Sequence, residues 1–213
     1  MNKIELAKRY SKKYHRGQIR KKDGSPYFIH PYSVVKILKR NGYKKEDILV
    51  IAYLHDTVED TDLTLDEIKN VFGDYISKSV YDLSRNKGEI DIKTGKIPEK
   101  VYRNRILNSN DDVKRVKLAD MIHNTSTLDA LSYSSIEKKI IDSYEFYIPL
   151  GKYVANKMVK NLESNIKKYF NLDLAERKYL KNYDYISNKV KSNFIRKIEK
   201  KYSYSNKRKR KIN

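Results

Sequence analysis

The chain has 213 residues, 39% hydrophobic and 35% charged, with a formal net charge of +20 and no cysteine. That length supports one substantial core, and the composition is that of a charge-rich globular protein rather than a disordered one. Without cysteine, disulfides and thiolate zinc sites are excluded, and any metal must be held by His, Asp, Glu or Asn.

Residues 1–18 contain no apolar stretch of the signal-peptide kind, and no run of 18 apolar residues occurs anywhere. A cytoplasmic location with no membrane attachment is therefore expected. The charge is uneven: residues 151–213 carry 19 Lys/Arg against 5 Asp/Glu, a net +14, and include the run Lys207-Arg208-Lys209-Arg210-Lys211. Such a run suits nucleic acid. A solvated basic surface is the favoured reading, because no nucleic-acid motif accompanies it. A basic field would also attract a highly phosphorylated small molecule.

In chain order the sequence reads as nearly all helix, since no period-2 alternation persists for a strand length. A first helix is expected over 1–15, then a loop over 17–31 rich in Arg, Lys, Gly and Pro. Helical spacing resumes over 32–40 through Val35, Ile37 and Leu38, and stops at Gly42. Residues 46–58 are apolar on most faces (Ile48, Leu49, Ile51, Ala52, Leu54), the mark of a helix central to the core. Thr64 with Glu67 forms a capping box opening a helix that ends near Phe72-Gly73. A helix over 75–84 precedes a polar loop at 86–98, and further helices are expected over 100–107 and 111–131. Ser134 with Glu137 suggests a second capping box for a helix reaching about 147. Helices over 152–169 and 185–201 and a frayed last dozen residues complete an all-α chain with no internal repeat and no linker.

The chemistry concentrates in three segments. His55-Asp56-Thr57-Val58-Glu59-Asp60 closes the apolar helix, and ionisable residues there call for a reason. His55 and Asp56 lie about 100° apart on a helix and can grip one cation from adjacent positions. Glu59 follows His55 by four residues, and Asp60 follows Asp56 by four, so each pair shares a face. A cation there would lower the pKa of a bound water, and a neighbouring carboxylate could act as general base. The segment from Val116 to Asn124 repeats the pattern, with Asp120, His123 and Asn124 polar at i, i+3 and i+4 within apolar sequence. His30-Pro31 follows the turn Pro26-Tyr27-Phe28-Ile29, which places a His just ahead of a helix as a potential ligand. All four histidines fall in these segments or in His15-Arg16-Gly17-Gln18. Each segment alone is compatible with an ordinary wet helix face; their concentration is what points to one site.

In order and wording, His15-Arg16-Gly17-Gln18-Ile19-Arg20-Lys21, Gly24-Ser25-Pro26-Tyr27-Phe28-Ile29-His30-Pro31, Ala52 to Thr61 and Val116 to Asn124 resemble the hydrolase domain of the RelA/SpoT family, within the HD superfamily. Weaker echoes are Phe72-Gly73, Leu83-Ser84-Arg85 and Tyr147-Ile148-Pro149-Leu150-Gly151, and the likeness spans about residues 1–155. The resemblance implies an all-helical HD-domain bundle around a single metal, usually Mn²⁺. It implies His30, His55, Asp56 and Asp120 as metal ligands, and Glu59 and Asp60 as the catalytic residues that position and activate water. It implies substrate contacts from Arg20, Lys21, Asn124, Thr127 and Tyr147. The implied reaction removes the 3′-pyrophosphate of ppGpp or pppGpp, giving GDP or GTP and pyrophosphate.

The family commonly has Met and Arg where this chain has Thr125 and Ser126, and Gly-Val-Thr-Lys where it has Leu83 to Asn86. No synthetase domain fits after residue 155, so a small stand-alone hydrolase core over 1–155 is expected, with a basic helical extension over 156–213 packed on it. Two other readings remain open: an HD phosphohydrolase acting on an adenosine alarmone or NADPH, and a basic nucleic-acid-binding protein.

Overall fold

The central helix is the one the sequence makes apolar on every side. In the computed structural model, which describes residues 2–20, 23–85, 98–128 and 131–167, every residue from Ile48 to Leu54 is buried. These residues form α3 (Glu46–Leu54), and α1 (Lys3–Tyr14), α2 (Ile29–Arg40) and α6 (Asp74–Leu83) pack around it. A helix without a polar face has to be surrounded. Val34, Val35 and Leu38 come from α2, Ala7 from α1, and Ile76 and Val80 from α6, all buried. Ile51 has no exposed surface. Ile51→Ala is expected to cost roughly 2–5 kcal/mol of folding free energy, read as a lowered urea midpoint with unchanged slope.

Among the described residues the structure is all-α, and no strand forms beyond an isolated antiparallel bridge between Ile19 and Pro26. After α3 come α4 (Thr57–Asp60), α5 (Leu65–Phe72) and α6; then α7 (Glu99–Asn108) and α8 (Asp111–Thr125). The Thr64 cap is present: its hydroxyl accepts from the Glu67 backbone N–H at 3.2 Å. Gly73, at φ +94°, makes the turn between α5 and α6, a conformation other residues rarely adopt.

The described residues fall into two compact units, 1–123 and 124 onward. In the second, α9 (Tyr133–Asp142) runs through a π turn at Ser143–Tyr147 into α10 (Ile148–Val154), followed by α11 (Asn156–Lys167). Pro149 has no N–H for a helical bond to the Glu145 carbonyl, which accounts for the widened turn immediately before it. The core of this unit includes Phe146, Leu150, Met158, Leu162 and Ile166.

Several boundaries differ from the sequence reading. The helix expected from residue 32 begins at Ile29, so His30 lies inside its first turn, where Pro31 is tolerated because N–H groups there have no helical partner anyway. The helix expected over 46–58 breaks after Leu54. α9 starts at Tyr133 with Ser132 at its cap, two residues ahead of the expected Ser134. The helix expected over 152–169 is interrupted at Ala155, whose backbone (φ −160°, ψ 55°) is not helical. The expected loop at 86–98 falls, but for Pro98, outside the described residues, and so does everything after Lys167. No helix among the described residues is long and apolar enough to cross a membrane.

Candidate metal centre

The break after Leu54 makes the site. His55 turns its Nδ1 back onto the Ala52 carbonyl at 2.8 Å, and the Thr57 hydroxyl donates to the Leu54 carbonyl at 2.7 Å. Two carbonyls left open at the end of α3 are thus satisfied by side chains, and the chain turns at Asp56 (φ −101°, ψ −8°) before α4 begins. The His55 bond also sets the ring: Nδ1 keeps a proton, so Nε2 is the nitrogen that a neutral ring would offer to a cation.

That nitrogen faces three other donor atoms. His55 Nε2 lies 3.2 Å from His30 Nε2, 3.1 Å from Asp56 Oδ2 and 4.0 Å from Asp120 Oδ1. His30 Nε2 lies 3.2 Å from both Asp56 Oδ2 and Asp120 Oδ1. His30, His55 and Asp120 are buried, whereas the Asp56 side chain keeps 22% of its surface open. The first turn of α2, the end of α3 and the middle of α8 therefore deliver one N or O donor side chain each, and Asp56 supplies the accessible one. His30, His55 and Asp56 have donor atoms close enough to hold one metal ion.

A ring of partners lies behind these residues. Asp120 Oδ2 accepts from Lys117 Nζ at 2.8 Å, one turn back on α8. His30 Nδ1 stands 2.7 Å from His123 Nδ1, a contact that needs one proton between the two rings. The Tyr27 hydroxyl reaches Asp56 Oδ2 at 2.7 Å and Asp60 Oδ2 at 3.0 Å. Gln18 donates to the Asp60 carbonyl at 2.7 Å while its own carbonyl faces His15 Nδ1 at 2.8 Å. Glu59 Oε2 accepts from the Arg85 backbone N–H at 2.9 Å.

The charges follow from this packing. Burial works against ionised carboxyls at Asp56 and Asp120, yet His55 and His30 for the first, and Lys117 and His30 for the second, hold both below the usual carboxylate range. Burial also opposes a charge on His30, but hydrogen bonds to Asp120 and Asp56 raise it to about 9. His123 is pushed down to about 4 by burial and by the charges of His30 and Arg20. Glu59 and Asp60 are exposed as residues, yet the surrounding protein, and for each the charge of Asp56, raises their carboxyls above the ordinary range.

A family model described as HD domain matches residues 7–152. The chain belongs to the HD domain family. Within that family it is 34% identical over 191 residues to a guanosine-3′,5′-bis(diphosphate) 3′-pyrophosphohydrolase of Aquifex aeolicus, covering 88% of this chain and 26% of that protein. It is 31% identical over 161 residues to a GTP pyrophosphokinase of Streptomyces coelicolor, covering 75% and 19% respectively. The chain thus spans about a quarter or less of the length of these curated relatives. Among solved structures it is similar to a metazoan ortholog of SpoT that hydrolyzes ppGpp, with a TM-score of 0.69 and 21% identity over 79% of this chain and 96% of that one. This likeness shows a shared fold, and the resemblance read from the motifs is borne out.

Of the residues singled out from the sequence, His30, His55, Asp56 and Asp120 come together, and Glu59 and Asp60 lie on α4 beside them. Arg20 adjoins the isolated bridge, with its backbone paired to Ser25 and Gly24. Lys21 lies outside the described residues. Asn124, Thr127 and Tyr147 belong to the second unit, where Tyr147 is buried with its ring edge-on to Phe146. Sequence reading gave no role to Tyr27, Gln18, Lys117 or His123. For the last two a signal existed, since Lys117 and His123 stand three residues either side of Asp120.

Proposed function

We infer that the chain is a metal-dependent hydrolase that removes the 3′-pyrophosphate of ppGpp or pppGpp, releasing GDP or GTP and pyrophosphate, with Mn²⁺ as its cation and alarmone turnover in the stringent response as its setting. The observation that carries this reading is that His30 Nε2, His55 Nε2 and Asp56 Oδ2 stand 3.1–3.2 Å from one another, with Asp120 Oδ1 3.2 Å from His30 Nε2 and 4.0 Å from His55 Nε2. Neighbouring donors around a six-coordinate cation with bonds of about 2.1–2.2 Å stand roughly 3 Å apart, so His30, His55 and Asp56 fit such an ion, with Asp120 beside His30. The names of the curated relatives support the substrate class.

His30, His55, Asp56 and Asp120 would hold the cation. When bound, it supplies a water of lowered pKa and neutralises charge on the phosphate. Glu59 and Asp60, on the open side, would take a proton from the attacking water or orient it, and their raised carboxyls are suited to the task. Lys117 holds Asp120 by its outer oxygen, and the Ala52 carbonyl fixes the His55 tautomer. Arg20, Lys21, Asn124, Thr127 and Tyr147 remain the proposed substrate contacts.

The test is release of GDP and pyrophosphate from ppGpp by purified protein with Mn²⁺, beside an EDTA control. Retained Mn²⁺ binding without release would move the search to other phosphorylated nucleotides. A pH effect should accompany it. In EDTA, the stability contributed by His30 is present in full below its ordinary value near 6.5 and is lost as pH rises through about 9. The Tm in EDTA is expected to fall across that window, and saturating Mn²⁺, which binds neutral imidazole, is expected to flatten the fall. Parallel profiles with and without metal would count against His30 as a ligand.

A further inference from the structure

We propose that Tyr27 is a positioning residue for this reaction, its hydroxyl linking the cation-facing oxygen of Asp56 to the carboxylate of Asp60. This rests on the metal-dependent hydrolase reading above and assigns a role to a residue which that reading does not use.

The Tyr27 oxygen lies 2.7 Å from Asp56 Oδ2 and 3.0 Å from Asp60 Oδ2. Asp56 Oδ2 is also the oxygen that faces His30 and His55. One phenol proton cannot serve two carboxylates at once, so Asp56 and Asp60 compete for it. With Asp56 Oδ2 committed to a cation, that oxygen would be the weaker acceptor and the Tyr27 proton would go to Asp60. Asp60 then has one oxygen fixed by a charge-assisted bond and the other open.

The hydroxyl is held in place from several sides. The Tyr27 ring lies against His15, centroids 4.6 Å apart, and meets His30 edge-on at 5.7 Å. The Tyr27 backbone N–H donates to the Gln18 carbonyl at 2.9 Å, and its carbonyl accepts from His30 at 2.8 Å. Gln18 in turn donates to the Asp60 carbonyl. Gly17, at φ +82°, provides the turn that brings Gln18 round after α1. The His15-Arg16-Gly17-Gln18 and Pro26-Tyr27 segments thus converge on the short helix that carries Asp60, one through its backbone and the other through its carboxylate.

The test uses the full chain as wild type, Tyr27→Phe, Asp60→Asn and the double variant. Phe keeps the ring contacts and removes only the hydroxyl. All four are expected to bind Mn²⁺ within about threefold of one another by calorimetry. Tyr27→Phe is expected to lower kcat on ppGpp about tenfold or more, the usual scale for losing a hydrogen bond to a charged group. The double variant is expected to be no slower than Asp60→Asn within about twofold, because the hydroxyl acts through Asp60. Wild-type kcat in Tyr27→Phe, multiplicative losses in the double variant, or Mn²⁺ binding weakened beyond about thirtyfold would overturn the proposal.

A second readout needs no substrate. In protein labelled with ¹³Cζ-tyrosine, the resonance missing from Tyr27→Phe is expected to shift when Zn²⁺ is added and to shift differently in Asp60→Asn. A resonance indifferent to both overturns the proposal even if ppGpp is not the substrate. A wild type inert towards ppGpp but showing both shifts defeats only the substrate reading.

Discussion

Asp56→Ala is expected to weaken Mn²⁺ binding by at least about 100-fold and to leave no measurable metal-dependent hydrolysis. Asp56 is the one carboxylate of the cluster with open surface, and its Oδ2 stands 3.1–3.2 Å from both His30 and His55. It therefore supplies charge at the side a substrate would approach, and no neighbour can replace it. Asp120 is buried against His30 and tied to Lys117, and Asp60 is engaged by Tyr27. Loss of one ligand from a small set commonly costs more than loss of an outer partner, which already reaches 10–100-fold. The fold should persist, because Ile48 to Leu54 and the Ala52 and Leu54 carbonyl partners are untouched. Exposed Asp62→Ala is the control and is expected to be neutral. Calorimetry with Mn²⁺ and ppGpp turnover with and without EDTA decide it: near-normal affinity in Asp56→Ala would remove Asp56 from the metal shell.

The parts of this site that were legible in the sequence are those with a periodic or compositional signature. An apolar helix ending in His-Asp, and a second helix with Asp120 and His123 on one side, could be read because polar residues are conspicuous in apolar surroundings. The break after Leu54 could not be read this way. It depends on His55 and Thr57 bonding to the Ala52 and Leu54 carbonyls, and a 3.6-residue period carries no trace of such bonds. As a result, Glu59 does not stand one helical turn above His55 as the unbroken spacing implied, but follows a turn and meets the Arg85 N–H. His30 lies inside a first helical turn rather than ahead of the helix, because Pro is compatible with a first turn and the chain uses it there. Tyr27 and Gln18 stand within the motif segments, but aromatic and amide residues in a Gly/Pro-rich loop carry no local signature of a role. Their role appears only when residues 18 and 60, or 27 and 56, come within hydrogen-bond distance.

Glu59→Gln is expected to lower kcat by roughly 10² or more while leaving Mn²⁺ affinity within a few-fold of wild type, the usual size of a lost general base. The substitution isolates charge from shape. Glu59 Oε2 accepts from the Arg85 backbone N–H, and a Gln carbonyl oxygen can accept the same bond, so the link between α4 and the segment after α6 is retained. Stability is therefore expected to change by no more than about 0.5 kcal/mol at this exposed position. What is lost is basicity. Partial desolvation raises the Glu59 carboxyl, with Asp56 and Asp60 adding to the rise, while the Arg85 N–H and the Lys117 charge oppose it. A base must be deprotonated to act, so wild-type kcat/KM is expected to fall as pH drops through a value above the ordinary Glu range, and this acid limb should be absent in Glu59→Gln. A variant with unchanged rate, or one that keeps the limb, would transfer the base role to Asp60. Tyr27 donates to that carboxylate, and a hydroxyl bonded to one oxygen orients it while lowering its readiness to take a proton. Asp60 is thereby better suited to aiming the water, and Glu59, which accepts from a neutral backbone N–H, to accepting its proton.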